Sequence, residues 1–190
     1  MIRRATFAVF VAALLGAAAP AAAGLRVADM GGHLVLGYAK LFADQAPGGS
    51  LSMGAGLDHP VGAGFGAGLD VGYHLLGSRT LEQGSLSTAL SYSLFEVLAQ
   101  ARWTPSRTRP VTLSGGPGLF VASASLGSSP GGALFSRSAV EETTVGLAFG
   151  ATLARGGPSP VRVGLEAGVR IVPLESSTWT LATARLAILY

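Results

Sequence analysis

The chain has 190 residues, no cysteine, 13 Lys+Arg against 10 Asp+Glu, and only 12% charged residues, about half the soluble-protein norm of roughly 25%. Absent cysteine excludes a disulfide scaffold and a lipid-modified lipoprotein, and the near-balanced charge gives no basis for nucleic-acid binding. Such an apolar chain, with 28 glycines, has too few polar groups to cover a soluble surface comfortably.

The first segment, MIRRATFAVFVAALLGAAAPAAAG, pairs Arg3 and Arg4 with an apolar run and a small-residue site at Ala21 to Ala23. That is the pattern of a secretory signal peptide over 1–23, leaving residues 24–190 as one exported domain. Removal of Arg3 and Arg4 leaves 11 bases against 10 acids. No later stretch approaches the ~20 continuous apolar residues of a membrane helix.

Eight strands are predicted, over 33–42, 49–58, 62–75, 85–103, 111–124, 139–154, 160–172 and 179–190. The first, HLVLGYAKLF, is apolar at both parities and its faces stay unassigned. In the second, Leu51, Met53, Ala55 and Leu57 oppose Ser52, Gly54, Gly56 and Asp58. The third begins GAGFGA, which fits a relaxed dinucleotide-binding turn as a bare pattern, but GLDVGYHL follows where that motif needs a helix. Sorted by parity, Val61, Ala63, Phe65, Ala67, Leu69, Val71 and Tyr73 face one way, and glycines, Asp70 and His74 the other. Those glycines are expected to line the inside of a curved strand.

In 85–103 the apolar parity switches from even to odd after Leu94, which predicts a β-bulge near Leu94-Phe95. Pro117 in 111–124 lacks a ladder donor and belongs at an edge or bulge. Strands 139–154, 160–172 and 179–190 alternate cleanly, for example Val145, Leu147 and Phe149 against Gly146, Ala148 and Gly150. Compact turns are expected at 58–61, 104–110 and 155–159, with longer connections at 43–48, 76–84, 125–138 and 173–178. The fold class is therefore all-β: an eight-stranded antiparallel up-and-down transmembrane β-barrel, both chain ends on the short-turn side.

The inward parity carries Asp70, Glu96, Glu142 and Glu166 with Arg102, Arg162, Arg170 and Arg185, a luminal charge network in which Glu166 and Arg185 are the preferred pair. An eight-stranded interior is just wide enough for side chains to fill, so Phe120 should pack over interior glycines and the lumen should be largely plugged. Tyr73, Trp103, Trp179 and Tyr190, with Tyr38, are expected at the membrane interfaces. Against catalysis, the only histidines are His33, His59 and His74, none beside a plausible nucleophile; His59 belongs to the Asp58-His59-Pro60 turn. No metal-ligand spacing appears, and nothing calls for a cofactor. Loop 125–138 has only Leu126, Leu134, Phe135 and Arg137 as contacts for a partner, and is expected to be a flexible, solvated loop.

The chain resembles the small bacterial outer-membrane β-barrel proteins of the OmpX, OmpA-barrel and opacity-protein type. The resemblance rests on the signal peptide, VGAGFGAGLDVGYHL, ARWTP, and a last strand closing on Tyr190. It implies contact with outer-membrane lipids, a monomer, and a C-terminal signal (Leu186, Ile188, Tyr190, weakly Ala184) read by the barrel-assembly machinery. The implied role is structural or accessory in the envelope. A narrow channel or small-ligand carrier is the alternative, and a soluble exported lipocalin-like protein the second. The uncharged odd face of 61–75 weighs against solubility.

Overall fold

A computed structural model describes residues 30–43, 48–83, 86–105, 111–127, 139–154 and 161–190. The expected signal peptide, and residues 128–138 with Leu134, Phe135 and Arg137, lie outside them. The strands are β1 (Gly31–Phe42), β2 (Ser50–Gly62), β3 (Phe65–Gln83), β4 (Leu86–Trp103), β5 (Val111–Gly127), β6 (Ala139–Ala154), β7 (Arg162–Pro173) and β8 (Thr178–Leu189). Each pairs antiparallel with its successor, and β8 pairs with β1 from His33↔Leu189 to Phe42↔Thr180, closing the barrel. Closure leaves no sheet edge along the paired band, which is what allows strands to cross hydrocarbon.

Alternation becomes sidedness. Phe65, Leu147 and Val163 lie on the outer wall, 54%, 45% and 54% exposed, while Gly66, Gly146, Ala148 and Gly164 beside them turn inward. β1 resolves in the same way: His33, Val35, Ala39 and Leu41 are buried, and Leu34, Leu36, Tyr38 and Phe42 are exposed. Both of its faces are apolar because the inner face meets an apolar part of the lumen, and that erased the pattern in the sequence.

Several local expectations are corrected. The β2–β3 turn is at Gly62-Ala63-Gly64, not 58–61, with φ of 131°, 50° and 82°. Two of the glycines in GAGFGA thus supply left-handed backbone for a tight turn, and only the later ones face the lumen. His59 is in β2, paired with Ala67. No bulge occurs at Leu94-Phe95: β4 and β5 keep one register from Ala89↔Gly127 to Trp103↔Leu113. Leu94 and Leu98 face inward with Glu96, so the apparent parity switch records apolar lumen and no change of face. The bulge is on β3, where Leu76 and Gly77 intervene between the Leu75↔Ser93 and Ser78↔Ser91 rungs, Gly77 having φ 87°.

Beyond that bulge β3 and β4 run on as a hairpin to Gln83↔Leu86, where 76–84 was expected to be a loop. The β7–β8 connection is also tight, closed by Leu174 N–H donating to the Ser177 carbonyl at 2.8 Å. Pro117 is neither at an edge nor in a bulge. It pairs opposite Leu147 of β6, and the β4–β5 ladder skips only the rungs between Leu98↔Gly118 and Ala101↔Gly115. The absent donor costs a local gap without a change of register.

Candidate functional site

Inward-facing residues fill the lumen in two chemically different parts. Toward the loop end, Ala39, Leu41, Leu76, Leu94, Val172 and Leu181 form a buried apolar cluster that continues to Leu98, Phe120, Ala122 and Ala148. Phe120 lies over the missing side chains of Gly118 and Gly146, where an added Cβ would come within 3.1 and 3.0 Å of its ring. Tyr92 and Trp179 pack on this cluster edge to face, with centroids 6.0 Å apart. Trp179 is thus turned inward, a correction to its expected place on the membrane-facing girdle. Its odd position in β8, the parity of Arg185, carried that signal. Tyr73, Trp103 and Tyr190 face outward, and Trp103 stacks on Phe65 at 6.2 Å.

Below the apolar cluster lies a buried hydrogen-bonded layer. Arg170 (2% exposed) donates from Nε to Glu96 Oε2 at 3.1 Å, from Nη2 to Oε1 at 3.2 Å, and from Nη1 to Thr183 Oγ1 at 3.2 Å. The two-pronged contact matches guanidinium to carboxylate geometry. On the other side of Glu96, His74 Nε2 lies 3.2 Å from Oε1, and Ser52 Oγ lies 2.9 Å from His74 Nδ1. The tautomer with its hydrogen on Nε2 suits both neighbours. Ser52, His74 and Glu96 have the order of nucleophile, base and orienting acid, yet all three are fully buried, which closes the hydroxyl to a substrate. Arg185 and Glu166 pair directly on the β7–β8 rung.

The third layer opens toward the short-turn end. Arg102 donates from Nη2 to both Asp70 oxygens at 2.8 Å, and its Nε is 2.7 Å from Asp58 Oδ1. His33 Nδ1 lies 3.2 Å from Asp58 Oδ2, and its Nε2 3.5 Å from Asp70 Oδ1.

Sequence parity put eight charges in one network; the structure brings together Asp70, Glu96, Arg102, Glu166, Arg170 and Arg185, in separate groups. Arg162 is exposed at the end of β7, and Glu142 accepts from the backbone N–H of Glu175 near the loops, so neither joins the luminal pairs among the described residues. Asp58, Ser52 and His33 were not assigned to the luminal network, and His74, read on the inward parity, was given no partner. Asp58 and Ser52 share the parity of Gly54 and Gly56, which was the available signal. His33, in a strand whose faces stayed unassigned, needed the register.

No family model matches the chain, and no curated protein does. Among solved structures it is similar to Ail, the attachment invasion locus protein of Yersinia pestis (TM-score 0.59, 12% identity, 85% of this chain and 99% of that one). Neisserial surface protein A is similar too (TM-score 0.59, 14% identity, 85% and 96%). So is a major outer membrane protein of Thermus thermophilus (TM-score 0.55, 13% identity, 84% and 98%). At these identities the fold is what is shared: the eight-stranded barrel of small outer-membrane proteins.

Proposed function

We propose that this chain is an integral protein of the bacterial outer membrane, a monomer with a structural or accessory role in the envelope, whose plugged lumen neither conducts nor catalyses. The observation that carries this reading is the sidedness of the wall. Leu36, Leu69, Leu147 and Leu165 are each about half exposed on the outside while Arg170 and Glu96 are buried within, an arrangement stable in lipid and costly in water. Among the described residues, the buried apolar cluster that runs from the loop end to Leu98 and Phe120 supports a blocked lumen, since an apolar constriction disfavours water and ions. The burial of Ser52 and His74 supports a non-enzymatic role. Outward-facing Leu186, Ile188 and Tyr190 suit recognition of the last strand by the barrel-assembly machinery.

Detergent-refolded protein should run as a compact band that shifts on boiling, and planar bilayers containing it should stay silent. An unshifted band would argue for a soluble protein. Stable, charge-selective conductance would reassign the molecule as a narrow channel.

A further inference from the structure

The cluster at the open end of the lumen combines three features that a set of structural ion pairs does not require. The first is its ligand set. His33, Asp58 and Asp70 each bring one donor atom within 4.8 Å of the other two. They come from three adjacent strands, and the backbone is shaped to let them meet. His33 pairs with Gly56 and Gly56 with Asp70, so these positions lie on one lateral rung, with Asp58 two residues further along β2. A Cβ on Gly56 would collide with both the His33 ring and Asp70 Oδ1, so the glycine is what lets imidazole and carboxylate touch across a strand.

The second is charge. Among the described luminal residues, Arg170 is matched by Glu96 and Arg185 by Glu166, but Arg102 alone faces two carboxylates. Counting imidazole as neutral, one negative charge is left over. The His33 ring lies between those carboxylates, and an imidazole with a single N–H satisfies only one of them. Its other nitrogen lone pair then faces carboxylate oxygen, with Arg102 Nη2 reaching it only at 3.5 Å. The third is access. The side chains of Asp58, Asp70 and Arg102 are 26%, 14% and 12% exposed, whereas the Glu96–Arg170 pair above is closed off.

We propose that His33, Asp58 and Asp70 bind one first-row divalent metal ion of the Zn2+ class, admitted from the short-turn end. One imidazole with two carboxylates suits such ions, whereas Mg2+ and Ca2+ take oxygen ligands. The ion lies between His33, Asp58 Oδ2 and Asp70 Oδ1, bringing the ligand atoms to roughly 2.0–2.2 Å from it. Arg102 keeps Asp58 Oδ1 and Asp70 Oδ2, holding both carboxylates in orientation as outer partners of metal ligands do. Spacing along the chain hid the site, because its ligands are 12 and 25 residues apart.

The test uses the refolded full-length barrel without a polyhistidine tag, titrated with Zn2+ by calorimetry and with Co2+ by visible absorption. One saturable equivalent is expected. His33→Gln and Asp70→Asn should each weaken binding by about 100-fold or more, beyond the loss of an outer partner, while still running as compact heat-shifting bands. His59→Gln should leave binding unchanged. No saturable Co2+ spectrum in the unmodified protein, equal affinity in the two ligand variants and the unmodified protein, or loss of binding on His59→Gln overturns the proposal. Should the ligand variants fail to give the compact band, the Co2+ spectrum of the unmodified protein and of His59→Gln decides. The band itself reports the barrel, so failure of the metal site and failure of the membrane reading are separable.

Discussion

Phe120 and Arg170 show how differently two fully buried side chains hold one lumen. Phe120 fills space above Gly118 and Gly146, and those two positions carry no side chain to fill the gap it would leave. Phe120→Ala should therefore cost about 3–5 kcal/mol in urea unfolding from vesicles, the upper range for a core aromatic. Arg170 serves Glu96, which has no route to water at 1% exposure. Arg170→Ala should cost about 3–5 kcal/mol by stranding that carboxylate. The double replacement Glu96→Leu with Arg170→Met should recover most of the loss, since it removes both charges together. A double variant as unstable as Arg170→Ala would show that packing, and not the stranded charge, dominates.

On a strand, what matters is which side a residue takes and how deep it lies. Leu147 is on the outer face of β6 well away from either end, whereas Val61 is next to the Gly62-Ala63-Gly64 turn and 70% exposed. Leu147→Arg should destabilise the bilayer-embedded protein by about 2–4 kcal/mol and Val61→Arg by about 0–1 kcal/mol, following the depth dependence of barrel substitutions. Equal costs would refute the outer face as a lipid contact. β4 shows why such faces were hard to read from sequence. Its inward Leu94 and Leu98 look like lipid contacts until the register sets them beside Glu96. β1 hid its faces for the same reason. β3 was legible up to His74 because its inward set there is Gly68, Asp70, Gly72 and His74, polar or small, with Leu76 following only at the bulge.

For the whole molecule the decisive contact is the seam between first and last strands. Gly32 and Tyr190 exchange backbone hydrogen bonds of 2.8 and 2.9 Å. The Tyr190 ring covers Gly32, where a Cβ would come within 2.6 Å of it. Tyr190→Ala should slow refolding into vesicles, read as delayed appearance of the compact band, while leaving the register of the other strands intact. An unchanged rate would mean that the terminal aromatic has no part in closure.

The sequence by itself determined the number of strands, their order and the lipid-facing side of most of them. Side-chain alternation with period two is a local property, legible wherever the two faces differ in polarity. It also identified most of the buried charges, since away from the strand ends an ionisable group on the inward parity has nowhere else to go. Apart from Glu166 and Arg185 on sequential strands, only the tertiary structure decided which of them meet. Arg170 and Glu96 are 74 residues apart, and His33 and Arg102 are 69 apart. Such groups become neighbours through the register of every intervening strand and the closure of the last onto the first. The tertiary structure also divided the lumen into an apolar and an ionic part, because that division depends on depth along the barrel axis, which alternation does not encode.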